Sequence, residues 1–452
     1  MHEFAAAVEG SVVSPEDAEY DAARRVYNAD IDRRPAFIVR CENERDVVSC
    51  VNYARESNLP VAVRGGGHSA PGFGTCDGGV VIDLSRMREV HVDPERRVAR
   101  VDGGCTWADV DRATHQFGLA TPAGIISTTG VGGLTTGGGF GYLSRRYGLS
   151  CDNLVSARVV MADGQIRTAS ADENAELFWA IRGGGGNFGI AVSFEFRLHP
   201  VDQVYAGPIL YPIEKAAEAL RFFRDFIQTA PREVSTFFAF LIVPSRPPFP
   251  KSLHGKTTCA IMCACTSDTL EAENQIRPLK EFGPPLLDLT HPMAYPVLQS
   301  AFDSLMPPGL YHYWKADFVQ ELSEGAIAEH IKFGPGVPTV NSTVHIYPLD
   351  GAVQDVKASD TAFAYRDVKF VHIIAAGSED AASLPEYREW ACEYWAALHP
   401  YSAGGAYVNF LMEEGEERVA SSYGENRERL VAAKAKYDPN NLFHVNQNIK
   451  PS

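Results

Sequence analysis

The sequence predicts an α+β protein built in two parts. Three observations carry that reading. The chain has 452 residues, more than one hydrophobic core ordinarily serves. Its first 200 residues set short apolar runs between clusters of glycine, which is the texture of short strands and tight loops. From about residue 205 glycine thins out, and long amphipathic helices alternate with strands, as in a single sheet covered by helices on one face.

The elements follow in order. "RPAFIVRC" (34–41) is a strand, and "ENERDVVSCVNYARESN" (42–58) a helix with Val47, Val48, Val51 and Ala54 on one face. "LPVAVRG", "GGVVIDLSRM" (78–87) and "RRVARVDGG" (96–104) are strands. "TWADVDRATHQFG" (106–118) is a helix between a threonine cap and a glycine stop. "LVSARVVMADGQIRTAS" (154–170) is a hairpin turning at Asp163-Gly164. A helix at 171–182 stops at Gly183, and 189–198 is a strand. Beyond 205 the helices fall near 214–229, 268–281, 323–332 and 384–398, and the strands near 235–243, 257–265, 313–320, 342–348 and 367–375. One last helix spans 416–436, and the asparagine-rich "YDPNNLFHVNQNI" (437–449) returns to the first part.

Composition excludes several classes. Net charge is −16 and no basic tract occurs, a poor footing for nucleic acid. No apolar run is long enough to span a bilayer. The first residues lack a basic segment followed by an apolar one, so no secretory leader is expected unless one was trimmed. Nine scattered cysteines suit a reducing cytoplasm better than a disulfide framework.

Three glycine clusters hold the chemical signal. A Rossmann site needs strand, glycine turn and then helix. "RGGGHSAPGFGTCDGG" instead runs from loop into strand, and "RGGGGNFGI" (182–190) from helix through loop into strand. The third cluster, "GIISTTGVGGLTTGGGFGYLS" (124–144), mixes glycine with small hydroxyl residues. Such segments let backbone N–H groups approach a diphosphate closely. Any one cluster could serve turns alone; three in one domain favour a ligand.

Six segments in order, "IDRRPAFIVRCENERDVVSCVNYARESNLPVAVRGGGHS", 124–144, "YGLSCDNL", "ELFWAIRGGGGNFGI", "YVNF" and "YDPNNLFHVNQNI", resemble the berberine-bridge-enzyme-like FAD-linked oxidases of the vanillyl-alcohol-oxidase (PCMH-type) fold. The resemblance implies an FAD-binding domain of residues 1–204 completed by 403–452, and an inserted substrate domain, 205–402, of antiparallel sheet covered by helices. It implies FAD bonded covalently to His68 through the 8α methyl; without it His68 is an ordinary loop histidine. It assigns cofactor contacts around that histidine to Arg64, Gly65, Gly66, Gly67, Ser69 and Gly72. In the second cluster they fall on Gly124, Ser127, Thr128, Gly130, Gly132 and Gly133, then on Gly137, Gly138, Gly141 and Tyr142. Asn187, Gly189 and Ile190 follow in the third, and Tyr407 and Asn409 near the C-terminus.

The sequence also departs from the family. Many members carry a second, cysteinyl flavin link where this chain has Ile126, so a single link is expected. Leu134 replaces a histidine, and Ala70 a tyrosine. The "YVNF" motif ends in Phe410 where relatives have a proton-abstracting tyrosine, and phenylalanine accepts no proton. The base must then come from elsewhere. His372 aligns with a carboxylate base of some alkaloid oxidases. His345 and Tyr347 lie two apart on one strand and share a face. Tyr142 and Tyr407 complete the catalytic candidates; each of these is, on its own pattern, equally a half-buried sheet or loop residue. Cys259, Cys263 and Cys265 share a strand face but have no second ligand pair, so no metal is expected.

The expected activity is oxidation of a small molecule. Hydride leaves a C–H of an alcohol, amine, phenolic metabolite or sugar for flavin N5, and dioxygen becomes hydrogen peroxide. The alternatives are a dehydrogenase using another acceptor, a flavin-binding protein without turnover, and oxygenase chemistry.

Overall fold

The computed structural model describes Phe4 and residues 7–452. Four strands, β1 (Ser11–Val13), β2 (Phe37–Arg40), β3 (Val61–Arg64) and β4 (Val80–Asp83), form a first sheet in the order β1-β2-β4-β3. β2 and β3 run parallel to β4. The second sheet takes β5 (Val90–Asp93), β6 (Val98–Asp102) and, after the short β7 (Leu119–Ala120), β8 (Leu154–Val160), β9 (Ile166–Ser170) and β10 (Ile190–Arg197). Its order is β5-β6-β10-β8-β9, all antiparallel, and β11 (His199–Pro200) pairs with β7.

Local chemistry explains these elements. The helix Glu44–Glu56 starts where the Asn43 side chain accepts from the backbone N–H of Arg45 and Asp46. The helix Trp107–His115 starts at a capping box between Thr106 and Asp109. The β8–β9 hairpin turns at Gly164, whose φ is 80°.

The third sheet is the largest. It comprises β12 (Gln203–Pro212), β13 (Val234–Ile242), β14 (Thr257–Cys265), β15 (Leu287–Asp288), β16 (His291–Ala294), β17 (Tyr311–Val319), β18 (Thr343–Pro348) and β19 (Phe370–Ser378). The order is β15-β12-β14-β13-β18-β19-β17, with β16 also on β12, and every pairing is antiparallel. Helices Ala216–Thr229, Thr269–Glu281, Glu324–Phe333 and Leu384–Leu398 cover one face, packing on Phe238, Phe240, Ile261 and Ile374. Alternation sends Phe237, Ala239, Met262, Tyr347 and Ile373 to the opposite face, into a core shared with Phe140, Tyr142 and Tyr407. Cys259, Cys263 and Cys265 lie on the helix-covered face and pack as small apolar side chains.

The chain end returns to the third glycine cluster. The buried Lys434 ammonium donates to Asp438 (2.7 Å) and to the carbonyls of Asn187 (2.8 Å) and Phe443 (2.9 Å). Asn187 donates to the Gln447 carbonyl (3.1 Å) and accepts from Ile449 N–H (2.9 Å). A fully satisfied buried pair of this kind fixes geometry, because removing either partner strands a charge.

The structure corrects three elements. The helix expected at 416–436 is two, Glu416–Ser422 and Arg427–Tyr437, broken where Gly424 takes a φ of 48°. The 124–144 loop contains a short helix, Val131–Thr136. β12 went unread because Gly207-Pro208 looks like a turn, yet it is ten residues long, and the change of texture at 204/205 falls inside it.

Candidate active site

A cavity of ≈ 430 Å³ opens between the glycine clusters and the uncovered face of the third sheet. No Asp, Glu, Lys or Arg lines it among the described residues.

The cofactor side is made of backbone. The loop after β3 and the segment before Val131 lie against each other so closely that a Cβ built at Gly66 would meet the Gly130 nitrogen at 2.4 Å, and one at Gly130 the Gly66 nitrogen at 2.4 Å. Only glycine permits that approach. Gly133 and Gly186 show the converse. Both line the cavity, and a Cβ at either would meet no protein atom within 4 Å. Gly133 sits in a helix, where glycine costs about 0.5–1 kcal/mol relative to alanine, and protein packing does not demand it. Space kept free at both places fits a bound group that approaches backbone closely.

The walls contain Gly65, Gly66, Gly67, His68 and Ser69; Gly124, Gly130, Gly132 and Gly133; Asn187, Gly189 and Ile190; and Tyr407 and Asn409, as the sequence suggested. Other expected contacts lie outside it. Arg64 is spent on Asp83 (2.9 Å) and the Arg25 carbonyl (3.1 Å). Ser127 N–H and hydroxyl both donate to Asp303 (2.9 and 2.6 Å). Gly72 packs on Ile31, Gly137 on the Asn409 amide, Gly138 on Phe363 and Gly141 on the Ala123 carbonyl. The Thr128 carbonyl faces Gly66 within the loop contact. These residues shape the loops rather than line the cavity.

His68 lines the cavity. Its Nε2 is buried without a hydrogen-bond partner, and burial lowers its pKa to about 4, so the imidazole is neutral. Its ring stacks on Tyr27 at 3.8 Å, and Tyr27 stacks on His312 at 4.7 Å on its other side. Sequence reasoning missed Tyr27 and His312, which lie outside the motifs, and also Ile125 and Gln447, which lie inside the 124–144 and 437–449 segments but carry no signal of their own. Ile126 lines the cavity, and none of the nine cysteines does.

The catalytic candidates separate. His345 and Tyr347 both line the cavity, and His345 Nδ1 shares a hydrogen bond of 2.6 Å with the Tyr347 hydroxyl. Burial alone lowers the His345 pKa to about 3 and raises that of Tyr347 above its usual value, so the pair is neutral. Tyr407 accepts from Gly139 N–H (2.9 Å) and from the Asn409 amide (2.8 Å), which tie the phenol into the loop. Burial raises its pKa too, and both hydrogen bonds hold the phenol in place. Phe410 lines the cavity edge-on to Tyr407, Phe140 and Trp314. Tyr142 lies behind the wall, buried, its hydroxyl unpaired. His372 is a correction. Its neighbours Ile373 and Val371 face the cavity side, whereas His372 pairs in register with Ile346 on the helix-covered face. There it lies edge-on to His330 at 5.6 Å.

Comparison with known proteins agrees with this geometry. Residues 35–170 match an FAD binding domain, and 406–450 the berberine and berberine-like family. The chain is 33% identical to an FAD-linked oxidoreductase of Dictyostelium discoideum over all of this chain and 97% of that one. 6-Hydroxy-D-nicotine oxidase of Arthrobacter nicotinovorans superposes with a TM-score of 0.88 at 28% identity, covering 98% of each chain. Glucooligosaccharide oxidase of Acremonium strictum, described with 6-S-cysteinyl, 8α-N1-histidyl FAD, superposes at 0.88 with 24% identity over 100% of this chain and 99% of its own. The mixed helix-and-sheet fold, the glycine-lined cavity and full-length similarity lead to one assignment: this chain belongs to the berberine-bridge-enzyme-like FAD-linked oxidoreductases.

Proposed function

We propose that this enzyme is an oxidase that converts a C–H beside a hydroxyl of a small organic molecule to a carbonyl, with FAD tethered through His68 alone. The observation that carries the reading is the His345–Tyr347 hydrogen bond of 2.6 Å in a cavity wall that holds no charged side chain. Bound FAD would supply a two-electron acceptor that dioxygen can reoxidise to give hydrogen peroxide. The glycine clusters would hold its diphosphate through backbone N–H groups, and 205–402 would contribute the substrate wall.

The proton is the protein's task. In the tautomer that carries the proton on Nδ1 and donates it to Tyr347, Nε2 of His345 is the free acceptor. Loss of hydride turns the substrate hydroxyl into a protonated carbonyl, a far stronger acid than imidazolium, so even a weakly basic His345 takes its proton. The balance is one alcohol and one dioxygen giving one carbonyl and one peroxide. Neutral, unpaired His68 Nε2 suits attack on an electron-poor flavin methyl group, and Ile126 offers no thiol for a second link. The test is anaerobic titration followed by air. A substrate alcohol bleaches the flavin, and air restores it with one peroxide per carbonyl. A flavin reduced by no alcohol, or reoxidised without peroxide, contradicts the reading.

A further inference from the structure

The sheet side of the cavity restricts what can lie beside the cofactor. Leu210 of β12, Phe237 and Leu241 of β13, Met262 of β14 and Phe302 line it. Val340, 40% exposed, also lines it, so its rim is apolar as well. The polar side chains near that rim are partly engaged with backbone. Thr343 donates to the Phe240 carbonyl (3.2 Å), and Asn341 to the Leu305 carbonyl (3.1 Å). The Ser342 hydroxyl accepts from Gly377 N–H (3.0 Å) and donates to the Gly377 carbonyl (3.2 Å).

Two further polar features stand on this side, deeper than the rim. One is the His345–Tyr347 pair. The other is the indole N–H of Trp314, buried without a partner beside Phe410. Rings gather around the first: Phe237 lies 4.8 Å from His345 and 4.9 Å from Tyr347, and Phe302 lies 6.1 Å from Phe237. These are separations at which aromatic groups attract edge-to-face or offset.

The physical consequences are selective. An ammonium or carboxylate would enter with no counter-charge in the wall. Each sugar hydroxyl stripped of water without a new partner loses about 5- to 150-fold in affinity. An apolar body loses nothing polar and gains about fourfold per buried methylene.

Building on the oxidase reading above, we propose that the substrate is an uncharged, largely apolar aromatic alcohol. Its ring is buried against Phe237, Phe302 and Met262, and its single hydroxyl rests on the His345–Tyr347 pair. The cavity is built against sugars and charged amines.

Calorimetry on the holoenzyme at neutral pH tests this, with anaerobic flavin bleaching beside it. The probes are benzyl alcohol, its para-methyl, para-ethyl and para-propyl analogues, cellobiose, and benzylamine as the cation. The affinity of the neutral series is expected to rise about fourfold per methylene until the cavity is full. Cellobiose and benzylammonium are expected to bind at least about 100-fold more weakly than the best neutral alcohol. Leu241→Arg is expected to gain about tenfold for para-carboxybenzyl alcohol, its flavin content reporting an intact fold. Neutral alcohols that bind in the expected order but never bleach the flavin support the cavity's selectivity for an uncharged aromatic body and overturn the oxidase reading. Cellobiose or benzylammonium binding as tightly as the neutral series, or no neutral alcohol binding at all, overturns the inference, whatever the flavin does.

Discussion

The two walls of the cavity solve different problems with different parts of the residue. The glycine wall works with backbone. Gly66 and Gly130 are held so close that no Cβ fits, while Gly133 and Gly186 leave open space beside the chain. The sheet wall works with side chains: Phe237, Leu241 and Met262 supply apolar surface, and His345–Tyr347 supplies one polar contact. The lesson is that one wall is shaped by what is missing from side chains, and the other by how little polarity its side chains leave.

Substitutions that attack one wall should leave the other intact. The largest effect is expected at His345→Ala. Removing the proton acceptor lowers kcat by about 100-fold or more, with acid-stable flavin unchanged. In the parent enzyme kcat should be flat from about pH 5 to 9, because His345 stays neutral down to about 3 and burial keeps Tyr347 protonated well above neutrality. Steady-state kinetics across pH checks both. On the opposite wall, Gly133→Val should cut FAD content about tenfold, read from the flavin-to-protein absorbance ratio. The apoprotein melting temperature should hold, since the new side chain meets cavity rather than protein.

Acid should weaken the fold as a whole. Burial holds His312 and His345 neutral down to about 3, and His199 and His372 to about 4, with His330 also well below its usual value. Below about pH 6.5 the unfolded chain therefore binds more protons than the native one, and stability falls as pH drops from there toward 4. Asp111, pushed up to about 8 by burial, acts in the opposite sense between about pH 4 and 8, and burial also raises Asp102; the lowered histidines, with His68 at about 4 among them, outnumber these two carboxyls. Thermal melts from pH 7 to 4.5 should show a steep fall in midpoint; a flat series would contradict buried neutral histidines.

The smallest effect is expected at His372→Leu. Both ring nitrogens of His372 lack partners, so an apolar side chain of similar size costs little. The kcat should stay within about twofold. A loss of the size expected for His345 would return His372 to the chemistry.

That pair of histidines shows where the sequence stops being readable. The glycine wall left marks in it, because close backbone approach forbids side chains, and His68 stood inside the first mark. The hairpin at Gly164, the cap at Thr106 and all four helices of the second part were legible for similar local reasons. The sheet wall left none. Spacing shows that His345 and Tyr347 share a face, but only the register with β19 shows that this face carries Ile373 rather than His372. The stack of Tyr27 on His68 joins distant segments and has no local signature. Among the expected contacts, Arg64, Ser127 and Gly137 carry the marks of a ligand loop yet pack the loop itself. The same residue types serve both ends, and contacts alone distinguish them.

The account rests most directly on His68. Intact mass and acid precipitation of the parent enzyme and of His68→Ala test it in one experiment. The parent should carry the added mass of one FAD and give a yellow precipitate, and His68→Ala should release all its flavin and show the bare polypeptide mass. A bare mass for the parent, or acid-stable flavin surviving in His68→Ala, would contradict a single anchor at this histidine.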